Sequence, residues 1–298
     1  MHKIILRAGA LETGVAPAVG AGITHFSAHI EGHTFHLLRP APDSFEEVRR
    51  SACFPLVPFS NRVREGAFEF QQQRVQLPPN MPGQKHPMHG IGWRRSWQLT
   101  THDDTHAELV LRHEASEWPW SFEARQRIDL DEHGLTLSLS VRNLSQHPMP
   151  AGLGFHPYFL CDEHTTLDAR TRRVWLTDDE LMPTQRQRVN GRYLLRNRPM
   201  LEQTLDNGYE GWSGHAIIDW GPIALRMSAP STHFFQCFSP RPNAGIYAPE
   251  GWGVFAAEPV THANAALNRP TSEWSAAGLR ILQQDQQTGL SARFEILG

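Results

Sequence analysis

Apolar and polar residues alternate with a period of two along much of this chain. In Leu135-Thr136-Leu137-Ser138-Leu139-Ser140-Val141-Arg142 every odd position is apolar. A strand puts those odd positions on one face, so the segment reads as a strand with one side in a core and one toward water. The turn signal Asp131-Glu132-His133-Gly134 precedes it, and residues 122–128 on the far side of that turn complete a predicted hairpin. Residues 107–112 and 290–296 alternate in the same way, and Ala216-Ile217-Ile218-Asp219-Trp220 reads as a short strand stopped by Gly221-Pro222. No long segment shows the i, i+3, i+4, i+7 spacing of an amphipathic helix. The 22 prolines and 23 glycines are scattered, as many short strands joined by turns require. No linker, composition break or repeat divides residues 1–298. The pattern therefore predicts an all-β protein, one large antiparallel β-sandwich domain.

Composition narrows the partners. A net charge of -3, with basic and acidic residues interspersed, gives no electrostatic case for nucleic acid or an anionic membrane. A small neutral ligand fits this balance better. No stretch approaches the roughly 20 apolar residues of a membrane span, and residues 1–7 carry too short an apolar run for a signal peptide. Cys53, Cys161 and Cys237 are an odd, widely spaced set, which suits buried thiols in a reduced cytoplasmic protein rather than a disulfide framework. The Asn143-Leu144-Ser145 sequon is then incidental.

Polar groups with chemical potential collect in a few segments. Cys53-Phe54-Pro55-Leu56-Val57-Pro58-Phe59-Ser60-Asn61-Arg62 is an apolar run stiffened by prolines and ending in an amide and a guanidinium. Arg62 is either a surface arginine after a strand or a positioned donor for hydroxyls or a carboxylate. His86-Pro87-Met88-His89-Gly90-Ile91-Gly92-Trp93 suggests a sharp loop that a ligand can approach, with His89 directly before the glycine turn. Zinc is the alternative there. However, Pro87 spoils a helical placement of the two histidines, and neither a His-Glu-x-x-His pattern nor a cysteine pair completes a site. Gly154-Phe155-His156-Pro157-Tyr158-Phe159 holds an imidazole among aromatic rings, with Pro157 forcing an extended backbone before it. Alone, His156 could as well be a satisfied core residue. Glu258 follows the apolar run Val254-Phe255-Ala256-Ala257, where a carboxylate is either paired, functional or turned to water. Finally, Asp206-Asn207-Gly208 carries a turn signature. Asp206 could nonetheless bind hydroxyls, with Tyr209 or Trp212 as an apolar platform. P-loop, GxGxxG and GxSxG patterns are missing.

Taken in order, Pro58-Phe59-Ser60-Asn61-Arg62, His89-Gly90 with Gly92-Trp93, Gly154 to Phe159, and Glu258-Pro259-Val260-Thr261-His262-Ala263 resemble the aldose 1-epimerase (galactose mutarotase) family, in its bacterial single-domain branch. Trp118-Pro119-Trp120 and Leu205-Asp206 through Gly211-Trp212 are similar to it too. The resemblance implies a galactose mutarotase-like supersandwich with a sugar on its concave face and no metal or organic cofactor. It implies Glu258 as general base, His156 as general acid and His89 as an aid at the ring oxygen. Arg62, Asn61 and Asp206 would bind sugar hydroxyls. Two departures stand out: Asn207-Gly208 after the aspartate, and a long connection from Ser239 to Trp252 that could reshape the pocket.

Independently of the resemblance, exchanging anomers needs one proton taken from the C1 hydroxyl and one given to the ring oxygen. A carboxylate and an imidazolium that stabilise each other would suffice. The expectation is thus a cytoplasmic aldose 1-epimerase acting on a free hexose, as a monomer or homodimer. A hexose 6-phosphate epimerase would need a basic cluster such as Arg62 with Arg94, Arg95 or Arg241. A non-catalytic carbohydrate-binding protein would keep the aromatic walls without needing both Glu258 and His156.

Overall fold

The alternating segment 135–142 lies in the strand Gly134–Asn143, which pairs antiparallel with Phe122–Asp131 across the turn at 131–134. This comes from a computed structural model of the chain, which describes residues 2–240 and 244–297. Register sets Leu135 against Leu130 and Leu137 against Ile128. On its other edge Leu135 meets Phe294 and Leu137 meets Ala292 of Gln287–Leu297. Opposed residues share a face, so the odd-numbered apolar set forms one buried layer while Arg125 and Arg127 point outward. The exception is Gln126, on the buried face opposite Leu139, whose amide donates to the Ala21 carbonyl at 3.2 Å.

These strands belong to an antiparallel sheet that runs from Arg198–Pro199 to Gln98–His102, nine strands among the described residues. A second antiparallel sheet of eight strands runs from Pro183–Arg188 to Pro55–Leu56. A four-stranded sheet, Ile4–Ala8 to His33–Leu38, carries the N-terminal end. The few helices are single 3-10 turns, in keeping with the missing helical periodicity.

The strand Gly253–Val260 shows why one stretch reads as continuously apolar. Phe255 and Ala257 join the main core. Val254, Ala256 and Val260 join a smaller cluster on the opposite face, with Phe54, Trp93 and Tyr158. Both faces are covered, so alternation is lost and only Glu258 breaks the run. Glu258 shares the face of Ala256 and Val260, the face of the smaller cluster.

Candidate functional site

Register brings His156 and Glu258 together. Gly154 pairs with Val260 and Tyr158 pairs with Ala256 on the same strand. Between those two pairs, His156 stands opposite Glu258. Pro157 has no N–H to give, so the ladder opens here and splits one edge into Gly154–Phe155 and Tyr158–Cys161. The His156 N–H bonds instead to the Phe54 carbonyl at 3.0 Å. Its ring lies 4.7 Å from the Phe54 ring at 18° and 4.5 Å from that of Tyr158. Nε2 then faces Glu258 Oε1 at 3.5 Å, with both side chains under a tenth exposed.

His89 arrives from a different direction. Val57 and Gly90 form a parallel bridge, and Arg62 and Met88 an antiparallel one, so the segments ending in Arg62 and beginning at His86 lie side by side. Gly90 has φ +67°, and a Cβ there would stand 2.3 Å from the Val57 carbonyl oxygen. Only glycine fits this contact. The His89 N–H donates to the Asn61 carbonyl at 2.9 Å, and Asn61 N–H donates to His89 Nδ1 at 3.2 Å. A ring nitrogen that accepts carries no proton, so the neutral ring holds its proton on Nε2. Burial, with Arg62 and Arg49 near, pushes His89 down to about 3, so the ring is an uncharged donor at neutral pH. His89 and His156 stand edge to face at 5.5 Å.

Arg62 and Asp206 complete the polar rim. Arg62 Nη2 lies 3.4 Å from Asp206 Oδ2, and the other Asp206 oxygen accepts from Gln236 Nε2 at 2.8 Å. Asn61, in the left-handed region at φ 55°, uses Oδ1 to accept the Arg62 N–H at 2.8 Å. Gln236 sits directly across from Glu258 in the register. Glu258, His156, His89, Arg62, Asn61 and Asp206 all line one open cavity. Arg49, Phe54, Met81, Met88, Tyr158, Gln236, Phe238 and Ile246 supply the remaining wall.

The electrostatics differ from the sequence expectation of a charged pair. Burial, reinforced by the Asp206 carboxylate, raises Glu258 well above the usual carboxylate range, against the pull of Arg62. Burial, with His89 and Arg39 near, lowers His156 well below the usual imidazole range. Both shifts favour a protonated Glu258 beside a neutral His156. That form holds the same single proton as a carboxylate–imidazolium pair, so the two differ only in where the proton sits.

Other expectations are corrected. Asp206 opens the strand Asp206–Glu210 and not a turn. Since side chains alternate, Asp206 in the cavity sends Tyr209 to the other face, where it packs near Phe235 in the core. Trp212 is buried as well and donates to the His215 carbonyl. Neither is a platform; Phe54, Tyr158 and Phe238 provide the aromatic surface at the cavity. Arg94 borders a separate cavity with Phe59 and Trp118, Arg95 pairs with Glu117, and Arg241 lies outside the described residues. Arg49 is the arginine that joins Arg62 instead. His86 faces away, accepting from the Glu65 N–H and meeting Glu180. His262 is a tie: its Nε2 accepts the Ser60 N–H at 3.0 Å, joining the 58–62 segment to the end of the Glu258 strand. In the connection after Ser239, Ile246 borders the cavity. Gln236 is a cavity residue outside the sequence motifs, although a lone amide within Phe234-Phe235-Gln236-Cys237-Phe238 is a signal of its own.

The chain is similar to known proteins over most of its length. The aldose 1-epimerase family model matches residues 2–275. The uncharacterized Escherichia coli K12 protein YphB is 32% identical over 243 residues, spanning 80% of this chain and 82% of its own. The crystal structure of a candidate aldose 1-epimerase from Escherichia coli K12 superposes with a TM-score of 0.88 at 29% identity, covering 99% of each chain. A galactose mutarotase-like protein from Clostridium acetobutylicum shares the fold, with a TM-score of 0.84 at 18% identity, over 99% of this chain and 95% of its own.

Proposed function

This chain belongs to the aldose 1-epimerase family, and we propose that it is an isomerase interconverting the α and β anomers of a free aldohexose by general acid–base ring opening. The observation that carries this reading is the buried His156–Glu258 pair, 3.5 Å apart on the wall of a cavity rimmed by Arg62 and Asp206.

In this reading the sugar hydroxyls bond to Arg62, Asn61, Asp206 and Gln236, which fixes C1 and the ring oxygen against the pair. The Glu258 carboxylate takes the proton of the C1 hydroxyl. The C1–ring oxygen bond breaks as the C1 carbonyl forms, and the imidazolium of His156 protonates the departing ring oxygen. His89 Nε2–H donates toward the same oxygen without changing its charge. The C1–C2 bond then rotates, and closure on the other face reverses the transfers. Ring opening leaves Glu258 protonated and His156 neutral. This is the form that burial favours, so the cavity stabilises the pair's protonation state at the open-chain stage. Arg62 near Glu258 and the bound hydroxyls offset the opposite cost in the closed stage. No step consumes or supplies a net proton.

The test is anomer exchange by polarimetry or NMR on a sugar panel that includes hexose 6-phosphates, with a chelator present. Expected is acceleration on at least one free aldohexose. Acceleration only on phosphorylated sugars would overturn the substrate assignment, and none on any sugar would overturn the activity.

A further inference from the structure

Arg39, the residue after the strand His33–Leu38, is fully buried. A guanidinium in that position normally takes a carboxylate, because a lone buried charge is costly. Its partners are instead three backbone carbonyls. Nη1 donates to Tyr247 at 2.7 Å, and Nη2 donates to Arg49 at 2.6 Å and to Ser51. The guanidinium carbon lies 3.8 Å from the centre of the Tyr158 ring, and the Arg39 N–H donates to the Tyr158 carbonyl at 2.8 Å. These contacts meet the cavity at three places. Arg49 and Tyr158 line it themselves, and Ile246, which also lines it, immediately precedes Tyr247. The three come from segments far apart in sequence, and Arg39 is bonded to each segment. Arg50 adds a second cation over the Tyr247 ring at 5.0 Å.

We propose that Arg39 is a positioning residue that latches segment 244–252 onto the cavity, fixing Ile246, Arg49 and Tyr158 as walls that select the sugar. A planar fork with several donors reaches several carbonyls at once, whereas a lysine ammonium on a flexible stem cannot hold the same set. The carbonyls of an irregular segment gain partners that no strand supplies. The charge persists at neutral pH, since burial lowers the group only to about 10. The latch acts through the walls and not on the reacting atoms, so its loss weakens sugar binding more than proton transfer. This inference rests on the sugar-binding reading above.

The test compares Arg39→Lys, Arg39→Met and Ile246→Ala with the wild type. Amide hydrogen exchange of the peptide spanning 244–252 is measured without sugar, and kcat and KM with D-glucose and D-galactose. Arg39→Met should speed exchange in that peptide and raise KM about 10-fold or more, the loss of one bond to a charged group, with kcat near wild type. Arg39→Lys should fall between. Ile246→Ala should raise KM with exchange unchanged, and should add little in the Arg39→Met background, as expected for two residues acting through one wall. Unchanged exchange in both Arg39 variants, or a fall in kcat at constant KM, would overturn the latch. If Arg39→Met does not fold, Arg39→Lys decides. If the wild type turns over no sugar, the proposed activity fails while the exchange comparison still judges the latch.

Discussion

At the scale of single residues, the cavity assigns different work to its charged groups. Arg62 is held by Asp206 at 3.4 Å and by the Asn61 amide, so its guanidinium is fixed before a ligand arrives. A preset donor binds without paying to order itself. Arg62→Met should lower kcat/KM roughly 10- to 100-fold, the range of one hydrogen bond to a charged group, chiefly through KM. Steady-state anomer exchange separates the two constants, and a pure kcat defect would assign Arg62 to proton transfer instead. The sequence marks Asn61, Arg62 and Glu258 because they end apolar runs, His156 because it stands among aromatic residues before a proline, His89 because a glycine turn follows it, and Asp206 through the family resemblance. Their common cavity was not readable, because it depends on which strands become neighbours. His156 and Glu258 are remote in sequence and meet only through the register of Gly154 with Val260 and Tyr158 with Ala256. Gln236 lies in no motif, and its meaning comes from facing Glu258 across the ladder.

At the scale of elements, period two carried most of the information. Alternation with the turn signal at 131–134 gives the hairpin, and alternation marks the C-terminal strand, whose place beside Gly134–Asn143 is set by the register. The same rule, applied from Asp206 to Tyr209, excludes Tyr209 from the cavity once Asp206 points into it. Alternation is silent where a strand is covered on both faces, as at Gly253–Val260, and there the lone carboxylate was the useful signal. The irregular segments depend on backbone geometry. Gly90 has a positive φ and meets the Val57 carbonyl, and this contact sets His89 against Asn61. Gly90→Ala should therefore destabilise the protein by at least about 1–2 kcal/mol from the left-handed backbone, with the clash in addition. Urea unfolding measures the loss. Activity should fall with it, since His89 shifts with the same backbone; full stability in the variant would mean the segment relaxes freely.

At the scale of the whole molecule, three histidines are buried in the uncharged state. Burial lowers His89 to about 3 and His262 to about 4, and lowers His156 well below the usual imidazole range. Each is depressed, so its contribution is complete above the unfolded value of about 6.5 and is lost as pH falls toward the folded one. Each adds a slope of up to about 1.4 kcal/mol per pH unit, so three remove roughly 4 kcal/mol per unit below 6. Glu258 and Asp206, both raised by burial, have the opposite sign. Their raised values favour folding at low pH, and that contribution is lost as pH rises through the folded values; two such groups offset only part of the slope of three histidines. Tm should thus drop steeply from pH 6.5 to 4.5 in calorimetry. A flat profile across that window would mean that the histidines take up protons without unfolding the site.

The most direct measurement is the rate of α/β exchange of an accepted aldohexose, by NMR with a chelator present, in wild type, Glu258→Gln and His156→Asn. Glu258→Gln keeps the shape of the side chain, His156→Asn leaves a smaller polar group, and both remove the proton transfer. Each should lower the rate at least about 100-fold, the low end of a general acid–base contribution, with the fold unchanged by circular dichroism. Near wild-type exchange in either variant would contradict the assignment of ring opening to this pair.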